Sequence, residues 1–229
     1  ATQAIGHVTL HARAQQFASR MTGRLFTLGM QFWQLGESHY WGHNAIIRVQ
    51  PFMEHCALAP IKGSGGMSGG IMSHDFVEAA LMRRAGYEVW LVSDLVGSYE
   101  QQPPDLLSEL QRDRRWCQGN LQHSKLVAAP GLKLWSRFVF LQGIFAYIAP
   151  LIWLAFIAAS IAAVYWVEIP DYFPEANWPF PTFPNDQTPK AIGLAVGVFG
   201  LLVMPKLLVA LDAIFTGRAR GFGGIGGSL

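Results

Sequence analysis

The sequence FVFLQGIFAYIAPLIWLAFIAASIAAVYWV, at residues 138–167, decides the architecture of this chain because it contains no charged side chain. About 20 apolar residues are enough for a helix to cross the hydrocarbon core of a bilayer. The stretch therefore predicts a transmembrane helix that is either tilted or flanked by turns, with a kink at Pro150. A second apolar run at residues 191–211 predicts another span, in which the Lys206 side chain reaches from near the far end toward the headgroups.

The charged residues are unevenly distributed along the chain. Of the 229 residues, 51% are hydrophobic and only 14% are charged, against about 25% in a typical soluble domain. Most charges lie in residues 1–137, which we predict to face water. The net charge of +2 and the lack of a basic run argue against a nucleic-acid partner. Cys56 and Cys117 lack metal-ligand spacing and are predicted to be reduced thiols.

Flanking charge predicts the orientation of the two spans. Basic residues precede the first span and follow the second, whereas four acidic residues and one lysine lie between them. Because basic flanks stay in the cytoplasm, we predict that the water-facing part and the tail are cytoplasmic. The predicted divisions are a water-facing domain at 1–125, an interfacial linker at 126–137, spans at 138–167 and 191–211, an outward loop at 168–190 and a tail at 212–229.

The water-facing part carries the signals of a mixed α/β domain. Apolar residues at three- and four-residue steps predict a helix at 9–35, with Phe17, Met21, Leu25, Leu28 and Phe32 on its apolar face. Shorter patterns predict helices at 52–58, 76–85 and 106–118, and strands at 45–49 and 87–92. Residues 62–70 contain five glycines and predict a mobile loop, and it is not a phosphate-binding loop because no Gly-Lys-Ser/Thr follows it.

Two arginines and a tryptophan are predicted to share one face of the helix at 106–118. Arg112, Arg115 and Trp116 fall at positions i, i+3 and i+4. Guanidinium groups bind phosphate oxygens in pairs, and an indole face is a suitable platform for a sugar ring. The stripe therefore indicates a site for a diphosphate leaving group beside a saccharide. The alternative is a solvated basic helix with one tryptophan at the membrane surface.

Asp75, in the segment Ser73-His74-Asp75-Phe76, is the candidate general base. A base must remove the proton of an acceptor hydroxyl as that hydroxyl attacks a sugar carbon. The structural alternative makes Asp75 the N-cap of the following helix, with Glu78 as its capping-box partner. The two roles are compatible, because a carboxylate at a helix N-terminus is held in position.

Residues 37–44 are rich in aromatic and amide side chains, which favours sugar recognition. This segment contains His39, Tyr40, Trp41, His43 and Asn44. The two histidines are four residues apart and would suit a metal on a helix, but Gly42 and the loop composition argue against a helix. We therefore predict no metal site in this chain, and structural packing is the alternative for both histidines.

These segments together resemble the family 2 inverting glycosyltransferases that are fused to membrane spans, such as cellulose and hyaluronan synthases. Arg112-x-x-Arg115-Trp116 fits the family's Q/R-x-x-R-W signature, and Ser73-His74-Asp75 stands about 40 residues upstream, where the family places its base motif. Three stretches are similar to the members that build osmoregulated periplasmic glucans: FWQLGESHYWGHNAIIR at 32–48, SHDFVEAALMRRAG at 73–86 and DRRWCQGNL at 113–121.

The resemblance implies a partial GT-A domain followed by two transmembrane helices. It implies transfer of glucose from UDP-glucose to a β-1,2-linked glucan acceptor at the bacterial inner membrane, among membrane lipid and with a partner that processes the glucan in the periplasm. By carry-over, Asp75 is the base, Arg112, Arg115 and Trp116 hold the pyrophosphate and the glucan end, and His43 and Asn44 line the pocket.

The chain also departs from the family pattern. No aspartate precedes Asp75, so the uridine-binding aspartate and the D-x-D motif for Mg or Mn are expected upstream of residue 1. The chain is therefore expected to carry the acceptor half of a site as a fragment. Two alternatives stay open, which are a non-catalytic membrane module and a synthase of a related polymer such as cellulose, chitin or hyaluronan.

Overall fold

A computed structural model describes residues 3–5, 8–42, 44–95, 97–166 and 188–216 of the chain. They belong to two compact units, Ala1–Ile152 and Trp153–Leu229. The described part is mostly helical. Its elements are β1 (Gln3–Ile5), α1 (Leu10–Gln34), α2 (Val49–His55), α3 (His74–Arg84), β2 (Tyr99–Gln101), α4 (Leu106–Gln122), α5 (Leu134–Ala163) and α6 (Thr188–Phe215). Of the predicted site residues, His43 lies outside the described residues.

The first long helix, α1, matches the predicted helix but buries a narrower face. Thr9 caps it by accepting a hydrogen bond from the backbone nitrogen of Ala12 at 3.2 Å. Met21 is buried, as predicted, whereas Phe32 is 75% exposed. The apolar face predicted from periodicity is therefore only partly covered by the described part of the chain.

The predicted strands at 45–49 and 87–92 are wrong. Residues 45–48 have no regular structure and run into α2, which starts earlier than the predicted helix at 52–58. Residue Val89 makes a single parallel bridge to Glu37. The small sheet lies elsewhere, where β1 and β2 pair in parallel with Ala4 opposite Glu100. β-branched composition was not enough to make strands, because a strand also needs a neighbour along its length.

The core of the first unit forms between α3 and the start of α5. Val77, Ala80 and Phe140 are buried together, and Phe76 packs against them. Arg83 is also buried and forms an ion pair with Glu37 at 2.7 Å. These contacts connect the loop after α1 and helix α3 to the first residues of α5.

Helix α4 begins where the sequence predicts and runs four residues further than the predicted end. Asp105 is its N-cap and accepts a hydrogen bond from the backbone nitrogen of Ser108 at 2.8 Å. That hydrogen bond lowers the pKa of the exposed Asp105 carboxyl. Pro103 and Pro104 precede this N-cap and lie outside the helix, not in its first turn as the sequence suggested.

Helices α5 and α6 are long and apolar enough to cross a membrane. Helix α5 has 30 residues and contains Pro150, and α6 has 28 residues and contains Pro205. Each overlaps a predicted span. Helix α5 starts four residues before the predicted residue 138, within the stretch expected to be a linker, and α6 starts at Thr188 instead of 191. Residues 167–187, which include most of the predicted outward loop, and residues 217–229 of the predicted tail lie outside the described residues.

Candidate active site

A cleft of about 590 Å³ lies in the first unit, between the start of α3, one face of α4 and the side of α5. Three predicted site residues, Asp75, Arg112 and Trp116, line this cleft together. Two of them are 41 residues apart in sequence, so the fold brings separate motifs to one place. The other lining residues are Trp41, Gly42, Met72, Ser73, His74, Phe76, Glu100, Gln102, Asn120 and Tyr147.

Asp75 lies in the first turn of α3 and is not its N-cap. The helix begins at His74, and Ser73 occupies the N-cap position without making a side-chain capping bond. The predicted capping box is therefore wrong, because Asp75 is already helical. Burial raises the pKa of the Asp75 carboxyl, while hydrogen bonds from nearby backbone N–H groups oppose that rise. A raised pKa suits a group that must accept a proton.

Arg112 and Trp116 form a stacked pair on the cleft side of α4. The guanidinium carbon of Arg112 lies 4.6 Å from the centre of the Trp116 ring. The Arg112 Nη1 donates to Gln102 Oε1 at 3.4 Å, and its Nε is buried without a hydrogen-bond partner. The planar guanidinium is thus held over the indole, where its remaining donors suit an anionic group.

Arg115 and Asn44 are not among the residues that line the cleft. Helical geometry explains the position of Arg115, because i+3 and i+4 lie on opposite sides of position i and are about 100° apart. Arg112 and Trp116 therefore line the cleft without Arg115, which is exposed. Asn44 is exposed and has a backbone φ of 57°, in the left-handed region.

The sequence interpretation missed Tyr147, which comes to the cleft from α5. Its hydroxyl donates to the Asp113 carboxylate at 3.0 Å and so connects the membrane helix to α4. The sequence contained one signal for Tyr147, because it is one of few polar side chains in the uncharged run at 138–167. A polar group in such a run usually faces protein or a polar cavity.

Two glycines set the close spacing of the elements around the cleft. A Cβ on Gly119 of α4 would lie 2.6 Å from the backbone nitrogen of Ser73. A Cβ on Gly143 of α5 would lie 3.2 Å from Cγ of Asn120, with the amide oxygen closer still. No side chain larger than hydrogen fits at either place without movement. Helix α4 therefore touches both the segment that leads to Asp75 and the helix that carries Tyr147.

The end of α4 holds the glycine-rich loop and the segment before α3. The Gln122 side chain is fully buried, accepts from the backbone nitrogen of Met72 at 2.9 Å and donates to the carbonyl of Gly70 at 3.0 Å. Nε2 of His123 lies 3.1 Å from the carbonyl of Ser73, which it can reach only as a donor. The segment predicted to be a mobile loop is thus fixed at its C-terminal end.

His39 serves packing in this structure, which agrees with the structural alternative for that residue. It is buried and stacks on Phe76 with ring centres 5.0 Å apart. Burial, with a smaller effect of Arg83, lowers the pKa of His39 to about 4. Its suggested partner His43 lies outside the described residues, and within the described ranges no group of three or more His, Cys, Asp or Glu side chains fits a metal ion.

Comparison with known proteins shows which family this chain is similar to. The model of glycosyl transferase family group 2 matches residues 2–180. The chain is 56% identical over 214 residues to glucans biosynthesis glucosyltransferase H of Cereibacter sphaeroides, which covers 93% of this chain and 36% of that protein. It is 53% identical over 227 residues to the protein of the same name from Pseudomonas aeruginosa, covering 98% of this chain and 26% of that protein. The Cupriavidus pinatubonensis protein of that name is 54% identical over 224 residues.

The chain thus spans about a quarter to a third of the length of these curated relatives. No solved structure matches the chain significantly.

Proposed function

Because the chain belongs to glycosyl transferase family group 2, we propose that the full-length protein transfers glucose from UDP-glucose to a growing β-1,2-linked glucan. The names of the relatives support glucan synthesis, and the two long apolar helices support a membrane location. The proposal places the reaction at the bacterial inner membrane, with the cleft on the cytoplasmic side. In this proposal the first unit is part of a GT-A domain.

One observation carries the mechanism, which is that Asp75, Arg112 and Trp116 line a single cleft. In an inverting transfer, an acceptor hydroxyl attacks the anomeric carbon of the donor glucose from the side opposite the diphosphate. The new C–O bond forms as the bond from that carbon to the phosphate oxygen breaks, and the bonding electrons leave with UDP. Asp75 accepts the proton of the attacking hydroxyl.

Arg112 is assigned to the developing negative charge on the leaving diphosphate. Its guanidinium is planar and always charged, and its stacking on Trp116 limits the orientations it can adopt. Trp116 is 46% exposed and offers the remainder of its ring surface to the acceptor end of the glucan. For Arg115, His43 and Asn44, contact with substrate stays a prediction from the resemblance.

The family also implies a divalent cation, Mg or Mn, at the donor phosphates. The described residues do not fit such an ion, because no cluster of three ligating side chains occurs among them. We propose that a D-x-D motif upstream of this sequence binds it. The proton transfer to Asp75 and the charge stabilisation by Arg112 therefore involve only side chains of this chain.

The test of this function is Asp75→Asn in the full-length protein in native membranes. We expect glucan synthesis from UDP-glucose to fall by at least about a hundredfold, because asparagine cannot accept the proton, while membrane insertion is unchanged. Asp94→Asn is the matched control, since Asp94 is an exposed acid outside the cleft. Synthesis at the wild-type rate by the Asp75 variant would refute the assignment of the base.

A further inference from the structure

A second titratable residue, His74, lines the cleft directly beside Asp75. Its Nδ1 lies 3.0 Å from Oε1 of Glu78, one helical turn further along α3. The other carboxylate oxygen of Glu78 accepts a hydrogen bond from the Tyr40 hydroxyl, which belongs to the loop after α1. Three side chains from two segments thus form a chain that ends at the cleft.

The hydrogen bonds of this chain have defined directions. Burial and the hydrogen bond to Glu78 raise the pKa of Tyr40, so its hydroxyl keeps its proton and donates. As a carboxylate, Glu78 only accepts, so the proton between Glu78 and the imidazole is on Nδ1 of His74. In a neutral imidazole with its proton on Nδ1, the lone pair is on Nε2, which can accept a hydrogen bond.

A simple helix-stabilising pair would not have these features. An exposed i, i+4 pair contributes little and needs no further support. Here the Glu78 side chain is only 12% exposed, and it is held by Tyr40 from another segment, whereas the His74 side chain is 53% exposed. The Glu78 end of this chain is buried and held by Tyr40, whereas the His74 end is exposed and lines the cleft. This arrangement suits the presentation of one imidazole nitrogen to a ligand.

We propose that Nε2 of His74 accepts a hydrogen bond from a hydroxyl of the acceptor glucosyl unit next to the hydroxyl that attacks. This inference rests on the proposed function. His74 and Asp75 are consecutive residues in the first turn of α3, and a pyranose ring carries hydroxyls on neighbouring carbons. Holding one hydroxyl at His74 selects which neighbour faces the base. His74 is therefore a substrate-binding residue that determines linkage, and Tyr40 and Glu78 are positioning residues that act through it.

The test uses the full-length protein in membranes, with UDP-glucose as donor and a β-linked glucose trisaccharide as primer. For His74→Ala we expect the KM for the primer to rise about tenfold, with the KM for UDP-glucose unchanged. We also expect products with more than one linkage, detected by NMR. His74→Gln keeps an accepting atom and should restore part of the primer affinity.

Tyr40→Phe tests the positioning role without changing a residue that lines the cleft. We expect a rise of about threefold in the primer KM in the wild-type background and no further rise in the His74→Ala background. Glu54→Gln is the matched control, because Glu54 accepts from Gln50 at 3.0 Å in another i, i+4 pair, outside the cleft. Its primer KM should equal that of the wild type.

Two results would overturn the role of His74. One is an unchanged primer KM and a single linkage in His74→Ala. The other is an equal loss in all kinetic parameters that His74→Gln does not relieve, because that pattern belongs to a structural residue. Failure of the wild-type protein to make glucan from UDP-glucose would instead refute the proposed function, so the two failures are distinguishable.

Discussion

The helices α5 and α6 differ in their contacts more than in their composition. Both are long and apolar, and each contains one proline. Helix α5 buries Phe140 in the core of the first unit and carries Tyr147 to the cleft. Among the described residues, Gly193, Gly197 and Gly200 of α6 have open space around them. Composition thus predicts that both helices can span a membrane, whereas contacts show that α5 up to Ile152 belongs to the first unit.

The largest expected difference between the helices concerns their phenylalanines. Phe140 of α5 is 1% exposed, whereas Phe199 of α6 is 67% exposed. Phe140→Ala should lower the free energy of unfolding of the first unit by about 3–5 kcal/mol, because it leaves a cavity in the core. Phe199→Ala should leave that free energy unchanged. Denaturant unfolding of the full-length protein in detergent measures both, and equal effects would contradict the comparison.

Acid should weaken the packing around α5 through His39, which stacks on Phe76 beside the core. The pKa of His39 falls from an ordinary 6.5 to about 4 in the folded protein. Below pH 6.5 His39 becomes protonated in the unfolded chain, whereas in the folded chain it stays neutral down to about pH 4. The contribution of neutral His39 to the free energy of unfolding is therefore fully present above pH 6.5. It decreases as the pH falls toward 4, by at most on the order of 3 kcal/mol.

The control for this pH dependence is His39→Gln, which removes the titrating group. Unfolding measured between pH 7 and pH 4.5 should show a shallower slope in the variant than in the wild type. Identical slopes would show that His39 contributes no pH dependence.

A glycine substitution should have opposite effects in the two helices. Gly143→Ala places a Cβ against the Asn120 side chain and should cost about 1–3 kcal/mol, with part of the activity lost through the displaced cleft residue. Gly197→Ala meets open space and should be neutral or stabilise α6 by up to about 1 kcal/mol. Thermal unfolding and glucan synthesis are the measurements, and a neutral Gly143→Ala would show that α5 can move away from α4.

The smallest effect is expected from Tyr147→Phe, which removes only a hydroxyl. The loss of its hydrogen bond to Asp113 should reduce glucan synthesis by about threefold to tenfold, because α4 is less well held against α5. Tyr165→Phe is the control, since Tyr165 is 85% exposed and lies two residues beyond the end of α5. Unequal rates for the two variants support a role of α5 in the site, and equal rates would refute it.

Local chemistry made part of this structure predictable from the sequence. The start of α4 and the helix α1 were predicted from local patterns, and both apolar helices from the length of their apolar runs. The family resemblance brought together Asp75, Arg112 and Trp116, which the fold places in one cleft. These features depend on neighbouring residues or on motifs that are recognisable by themselves.

Features that depend on distant partners were not predictable. The predicted strand at 45–49 has no ladder neighbour in the described part, and Ile46 is 97% exposed. The role of Tyr147 depends on Asp113, 34 residues earlier. The Tyr40–Glu78 contact likewise joins residues 38 positions apart. Periodicity does not encode such pairings, because they arise only when the elements pack.

The close approach of Gly119 to Ser73 limits the distance between α4 and the segment before α3. A Cβ on Gly119 would lie 2.6 Å from the backbone nitrogen of Ser73 and closer still to its Oγ, so no side chain at position 119 fits between α4 and the segment that leads to Asp75. A substitution at Gly119 would therefore push α4 and this segment apart. Because Arg112 belongs to α4 and Asp75 follows this segment at the start of α3, such a change would also alter the separation of these two cleft residues.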